Sequence, residues 1–228
     1  GLIMKNKLKK LLKSNSFNKI RNLINYRPTI SLKPINPRYS VSDFFYWNTC
    51  EGFDTKIMLT NFSTQTTPDT PQLDQIKIII YDDKGSLLDE INYNLEPFQT
   101  IDFKFSNYFE NKFGSFFVFH KLENMQPYID QNSHLSERGY ISYKRKDGIW
   151  SFMHGNLNSA YFDDKSKKPV SILTESLFAN NKYLPQVSFK NCDSFAFIIN
   201  NPMNKKIKIE VDFFNEQLKI VKTKKFKL

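Results

Sequence analysis

His134, Glu137 and His154 are the residues of this chain best suited to proton chemistry. A carboxylate close to an imidazole can orient the ring and raise its pKa, which is what a general acid/base pair needs. Histidine is scarce: only His120, His134 and His154 occur, and the last two fall in one predicted hairpin region. Arg138, Tyr140 and Asn156 accompany them and complete the candidate ligand-binding set. Three uses of this set rank in descending order: hydrogen-bonded structural histidines, a ligand-binding rim, and catalysis or metal binding. His134-x-x-Glu137 with one distant histidine matches neither a helical zinc motif nor a His-x-His pattern, so no metal is assigned. Nucleophile elbows, phosphate-binding glycine loops and dinucleotide fingerprints are absent from the sequence. No catalytic residue and no cofactor are therefore assigned.

Cys50 and Cys192 have no CxxC partner and no adjacent histidine. They read as reduced, buried small hydrophobes in matching places rather than nucleophiles.

The elements that must hold these residues read as strands. Phe44–Asn48, Thr55–Asn61, Ile76–Tyr81, Leu87–Tyr93, Thr100–Phe105, Gly114–His120, Gly139–Lys144 and Ile149–His154 are short, β-branched or aromatic, and separated by polar turns. Asp82-Asp83-Lys84-Gly85 and Lys146-Asp147-Gly148 carry hairpin turn chemistry. A turn centred on Asp147-Gly148 puts Ile141, Tyr143, Trp150, Phe152 and His154 on a core face, with Tyr140, Ser142, Ser151 and Met153 outside. Trp47, Tyr140, Tyr143 and Trp150 admit two uses, a packed core or a platform for sugar rings. The core reading leads, with Tyr140 the foremost exception.

Charge divides the chain differently. The first 42 residues hold ten lysines and arginines and no acid, whereas 23 basic residues face 23 acidic ones from Asp43 onward. Apolar residues from Met4 to Ile24 recur at helical spacing, so residues 1–27 are expected to form a basic amphipathic helical leader. Pro28, Pro34 and Pro37 mark a linker over 28–40. Lys5, Lys7, Lys9, Lys10 and Lys13 are the candidate contacts to an anionic membrane surface. A solvated tail is the bland alternative, and nucleic-acid binding the less favoured one, because few aromatics interleave the lysines.

The body contains a weak internal repeat. Cys50-Glu51-Gly52-Phe53, a strand and Asn61 are echoed by Cys192-Asp193-Ser194-Phe195, a strand and Asn201. In each copy the next strand opens Ile-Lys-Ile, at Ile76–Ile78 and Ile207–Ile209, and runs into an acidic or amide turn. The expected fold is all-β: duplicated immunoglobulin-like β-sandwich units behind the helical leader, with a first domain over 41–165 and a second unit over 166–228. If the duplication holds, that second unit reads as truncated.

A strand ending in Asn61, a paired strand from Ile76, the acidic turn at Asp82–Gly85 and a third strand from Leu87 resemble the small β-sandwich of the sensory rhodopsin transducer family. Ser133-His134-Leu135-Ser136-Glu137-Arg138-Gly139-Tyr140, with Phe152-Met153-His154-Gly155-Asn156, is similar to uncharacterised β-sandwich proteins found among bacterial surface-polysaccharide genes. The resemblance implies a β-sandwich and carries no site residues with it. The leading expectation is a non-enzymatic binding or adaptor module linked to surface-polysaccharide production. It would be cytoplasmic, peripheral at the inner membrane, with a carbohydrate or protein partner. The rivals are an enzyme acting on a sugar or nucleotide-sugar through a His/Glu pair, and nucleic-acid binding through the leader.

Overall fold

A computed structural model describes residues 31–32, 40–130, 135–137, 139–154, 158–174, 198–199, 201 and 206–228. The expected leader and most of the linker lie outside these residues. The strands are, in chain order, β1 (Ser31–Leu32), β2 (Val41–Asp43), β3 (Phe45–Asn48), β4 (Phe53–Thr60), β5 (Asp74–Asp82), β6 (Leu87–Leu95), β7 (Thr100–Lys104), β8 (Phe113–Leu122), β9 (Ser136–Glu137), β10 (Tyr140–Arg145), β11 (Ser151–His154), β12 (Asn158–Asp163), β13 (Lys168–Ser171), β14 (Leu173–Thr174), β15 (Lys208–Phe214) and β16 (Ile220–Lys227). Among the described residues two single-turn α-helices accompany them, α1 (Phe62–Thr66) and α2 (Gln126–Asp130). The fold is all-β. Ser31–Leu32 and Ile172–Thr174 belong to one compact unit, in which β1 pairs with β14. All other described residues belong to a second unit.

That second unit is built on three four-stranded sheets. Sheet I has the order β3-β8-β5-β6, sheet II β11-β10-β4-β7, and sheet III β13-β12-β2-β9. Sheets I and II are antiparallel throughout, whereas sheet III contains the parallel pair β2–β9. Ile76, Ile78, Ile80, Phe116 and Val118 of sheet I join Ile57, Leu59, Phe103 and Ile141 of sheet II in one buried cluster. On the other side of sheet I, Ile79, Phe117 and Phe119 pack with Ala160 of sheet III. Sheet I is thus a middle layer. This explains why Ser115–His120 is an unbroken buried run where a half-exposed strand would alternate.

All eight strands expected between Phe44 and His154 are present, with their ends moved by a few residues. The third sheet was not expected, because its strands are short and partly polar. The domain boundary expected after residue 165 falls inside the β12–β13 hairpin, where Asp163 lies opposite Lys168. β3 pairs with β8 only as far as Phe116. Beyond that point the chain leaves for sheet III, and the hydroxyls of Ser42 and Ser40 accept from the N–H groups of Val118 (2.9 Å) and His120 (2.8 Å). Two serines thereby satisfy a buried strand edge that would otherwise hold orphan donors.

Two hairpins match in detail. The Asp82 carboxylate accepts from the N–H groups of Lys84 (2.9 Å) and Ser86 (2.7 Å), and the Asn215 amide oxygen from those of Gln217 and Lys219 (3.0 Å each). Asp82 N–H donates to Ser86 O and Asn215 N–H to Lys219 O. Positive φ falls at Gly85 (+80°) and Leu218 (+57°). The register slips at the residue before each turn, Tyr81 opposite Leu87 and Phe214 opposite Ile220. Aligned on these turns, Ile76 corresponds to Ile209, two residues beyond the match suggested by the Ile-Lys-Ile pattern.

Candidate functional site

The strongest electrostatic feature is a buried imidazole between two carboxylates. His120 sits near the end of β8 with the parity of Phe116 and Val118, so its ring points between sheets I and II. Asp74 opens β5 with the parity of Ile76 and Ile78 and therefore faces the same way. His120 Nδ1 lies 2.7 Å from Asp74 Oδ2, and Nε2 lies 2.7 Å from Oε2 of Glu137 in β9. With a carboxylate oxygen at each ring nitrogen, both nitrogens donate, and the species that does so is the imidazolium. Burial works against that charge; the hydrogen bonds and the fields of Asp74 and Glu137 outweigh it and push the pKa up to about 10.

The surroundings fix this geometry. Asp74 Oδ2 also accepts from the N–H of Phe62 (2.7 Å), the first residue of α1, while Oδ1 is buried with no hydrogen-bond partner. Asn61 caps α1 and holds the loop in place: its amide donates to Gln72 O (2.9 Å) and Leu95 O (2.8 Å), and its oxygen accepts from Thr64 N–H (3.1 Å). The Phe62 ring leans on His120 with centroids 5.4 Å apart. Gly139 leaves room for the Glu137 carboxylate, since a Cβ there would lie 2.4 Å from Oε1. Gly139→Ala is therefore expected to push Glu137 off Nε2, costing about 1–3 kcal/mol. It should also lower the pH at which the protein loses stability in alkali. Urea unfolding at pH 7 and 9 checks both effects.

This cluster is closed to ligands. The side chains of His120 and Asp74 are 0% exposed and that of Glu137 is 10% exposed. The two carboxylates approach opposite ring nitrogens, so their oxygens do not converge on a cation. Among the described residues no His, Cys, Asp or Glu group is arranged to hold a metal.

Of the predicted site residues, the structure describes Glu137, Tyr140 and the strand position of His154. Glu137 is buried, and its carboxylate meets His120. His134, Arg138 and Asn156 lie outside the described residues, as do Lys5, Lys7, Lys9, Lys10 and Lys13. His154 takes a register position opposite Tyr140. Tyr140 is 62% exposed and faces outward as expected. The expected hairpin parity is corrected by one residue. Tyr143 lies opposite Ser151 and Ser142 opposite Phe152, because the turn centres on Asp147, with Lys146 at φ +50°. A one-residue shift in register exchanges the two faces of a strand. Phe152 therefore leaves the core and joins Tyr140 outside, whereas Ile141 stays in.

The result is an exposed aromatic row on the outer face of sheet II. Tyr140, Phe152 (54% exposed) and half-buried Trp150 mark successive levels of the β10–β11 hairpin. Lys56 Nζ lies 5.1 Å from the Trp150 ring centre and 5.9 Å from that of Phe152, and Lys144 Nζ lies 5.4 Å from Trp150. Asp102 holds Lys56 from the far side at 3.1 Å. The other aromatics in question serve the interior. Trp47 is fully buried, stacked on Phe105, and donates from Nε1 to Tyr81 O (3.1 Å). Tyr143 is half-buried and donates to Tyr46 O (2.8 Å); burial raises its pKa. Cys50 is a free thiol, as expected, but half-buried on a turn where burial was expected; Cys192 lies outside the described residues.

A groove of about 560 Å³ lies on the side of sheet I that faces sheet III, lined in part by Lys77, Asn92, Asn94, Phe162 and Lys167. It meets His120 through the strand backbone only, since the ring faces the opposite side.

No family model matches the chain, and no match was found among curated proteins or solved structures. Among the described residues no helix is long and apolar enough to cross a membrane.

Proposed function

We propose that the protein is a non-enzymatic binding module that holds an acidic carbohydrate against Tyr140, Phe152 and Trp150. The observation that carries this reading is the exposed aromatic row flanked by the ammonium groups of Lys56 and Lys144. Flat ring faces stack on the apolar faces of sugars, and ammonium groups complement uronate carboxylates. Binding is favoured over acid/base catalysis because the His120 cluster is sealed, and a general base must reach its substrate directly or through one water. Duplicated immunoglobulin-like units belong to the same reading, supported by the matched hairpins β5–β6 and β15–β16.

Calorimetry with uronate oligosaccharides tests the proposal. Wild-type protein should bind, and Phe152→Ala and Trp150→Ala should each weaken binding about tenfold, the loss typical of a central aromatic contact. Asn92→Ala, in the groove on sheet I, should bind as wild type. Absence of binding, or loss through Asn92 alone, would overturn the assignment.

The leader extends this reading to an inner-membrane surface in bacterial polysaccharide production. Each lysine near anionic lipid contributes on the order of 1 kcal/mol. The chain should therefore sediment with anionic but not neutral vesicles, lose that binding with salt, and lose it when residues 1–27 are removed. Equal retention on both vesicles would exclude electrostatic docking. Tight DNA binding with a steep salt slope would favour nucleic acid instead.

A further inference from the structure

Among the described residues one edge of β15 is open, and the same chain shows how such an edge is filled. The β15–β16 hairpin repeats β5–β6 in turn hydrogen bonds, register and slip position. The far edge of β5 is covered along its whole length by antiparallel β8, Asp74 to Asp82 lying opposite Leu122 to Gly114. Among the described residues β15 pairs with β16 alone. Its outward N–H and C=O groups form a template for another strand.

Charge order identifies that strand. Lys206, Lys208, Glu210 and Asp212 alternate with Ile207, Ile209 and Val211, so charged and apolar residues occupy opposite faces. Antiparallel pairing of this segment with itself about Ile209 sets Lys208 opposite Glu210 and Lys206 opposite Asp212. Each pair occurs twice. On the other face Ile207 meets Val211 and Ile209 meets Ile209. Opposite charges placed across strands stabilise a ladder, and like charges destabilise it. Moving the axis to Lys208 or Glu210 sets like charges against each other at the centre, and moving it to Val211 sets Glu210 against Asp212. Only the Ile209 axis satisfies both faces.

We propose that the protein forms a two-fold symmetric dimer by antiparallel pairing of β15 with β15 of a second copy about Ile209. Two-fold symmetry makes one self-complementary segment sufficient. Glu210 already meets Lys225 of β16 at 2.9 Å, so the pairing extends this contact into a ladder running from Lys225 through Glu210 to Lys208 of the second copy. The arrangement is independent of the sugar-binding surface, which lies on sheet II.

Sedimentation equilibrium of the full chain tests the dimer. Wild-type protein should approach twice the 27.0 kDa chain mass with rising concentration. The charge-reversed pair Glu210→Lys/Asp212→Lys should be monomeric, as should Lys206→Glu/Lys208→Glu. An equimolar mixture of the two variants should associate again, because each supplies what the other lacks. All four substituted side chains are exposed, and far-ultraviolet circular dichroism confirms that the variants remain folded. A monomeric wild type, variants that still dimerise, or a mixture that does not associate would overturn the proposal.

Discussion

Replacing His120 with leucine is expected to lower stability by about 3–5 kcal/mol, the cost of removing one partner from a buried ionic network. The substitution keeps an apolar body in the space under Phe62 but leaves the Asp74 and Glu137 carboxylates without the cation between them. Asp74 retains the Phe62 N–H, while Glu137 loses its ring partner outright. A domain of this kind is stable by about 5–15 kcal/mol, so the loss would be plain in a urea midpoint. A change below about 1 kcal/mol would mean that the network contributes no more than an exposed ion pair.

The second large effect is alkaline. The His120 pKa is about 10 in the folded protein, against an ordinary value of 6.5. A raised folded pKa means that the native state holds its proton more tightly than the unfolded chain. The resulting stabilisation is fully present below pH 6.5 and is lost as pH rises through 10, in total on the order of 5 kcal/mol. Urea midpoints should therefore fall from pH 6.5 to pH 10, and His120→Leu should flatten that fall. Burial raises the pKa values of Tyr46, Tyr81 and Tyr93 above 10.0, so their ionisation adds its own loss only above this window. An unchanged midpoint across the window would contradict a charged His120.

Much of the two-sheet core was legible, because β4, β5 and β7 alternate or run apolar between clear turns. Sheet III was not. Val41–Asp43 and Ser136–Glu137 are too short to show a period, and Asn158–Asp163 opens on polar residues. The β10–β11 register failed for a different reason: Asp147-Gly148 suggested a centre between two residues, whereas the turn closes around Asp147 alone.

At the site, proximity in sequence missed one partner. Glu137 bonds to His120, which is distant in the chain and lies on another strand. A usable signal was present in strand parity. His120 shares the inward parity of Phe116 and Val118, and Asp74 that of Ile76 and Ile78. An ionisable pair pointing into an apolar core requires partners. Glu137 could not have been found this way, because its two-residue strand reaches the cluster through sheet III.

A sealed imidazolium at His120 holds three segments together. Nitrogen-15 NMR of the His120 ring at pH 8 tests this most directly. Both ring nitrogens should give protonated imidazolium signals with slowly exchanging N–H protons. The ring should stay charged until the pH approaches 10. A neutral ring titrating near its ordinary value, with ring protons in rapid exchange with water, would show an open histidine and contradict the account.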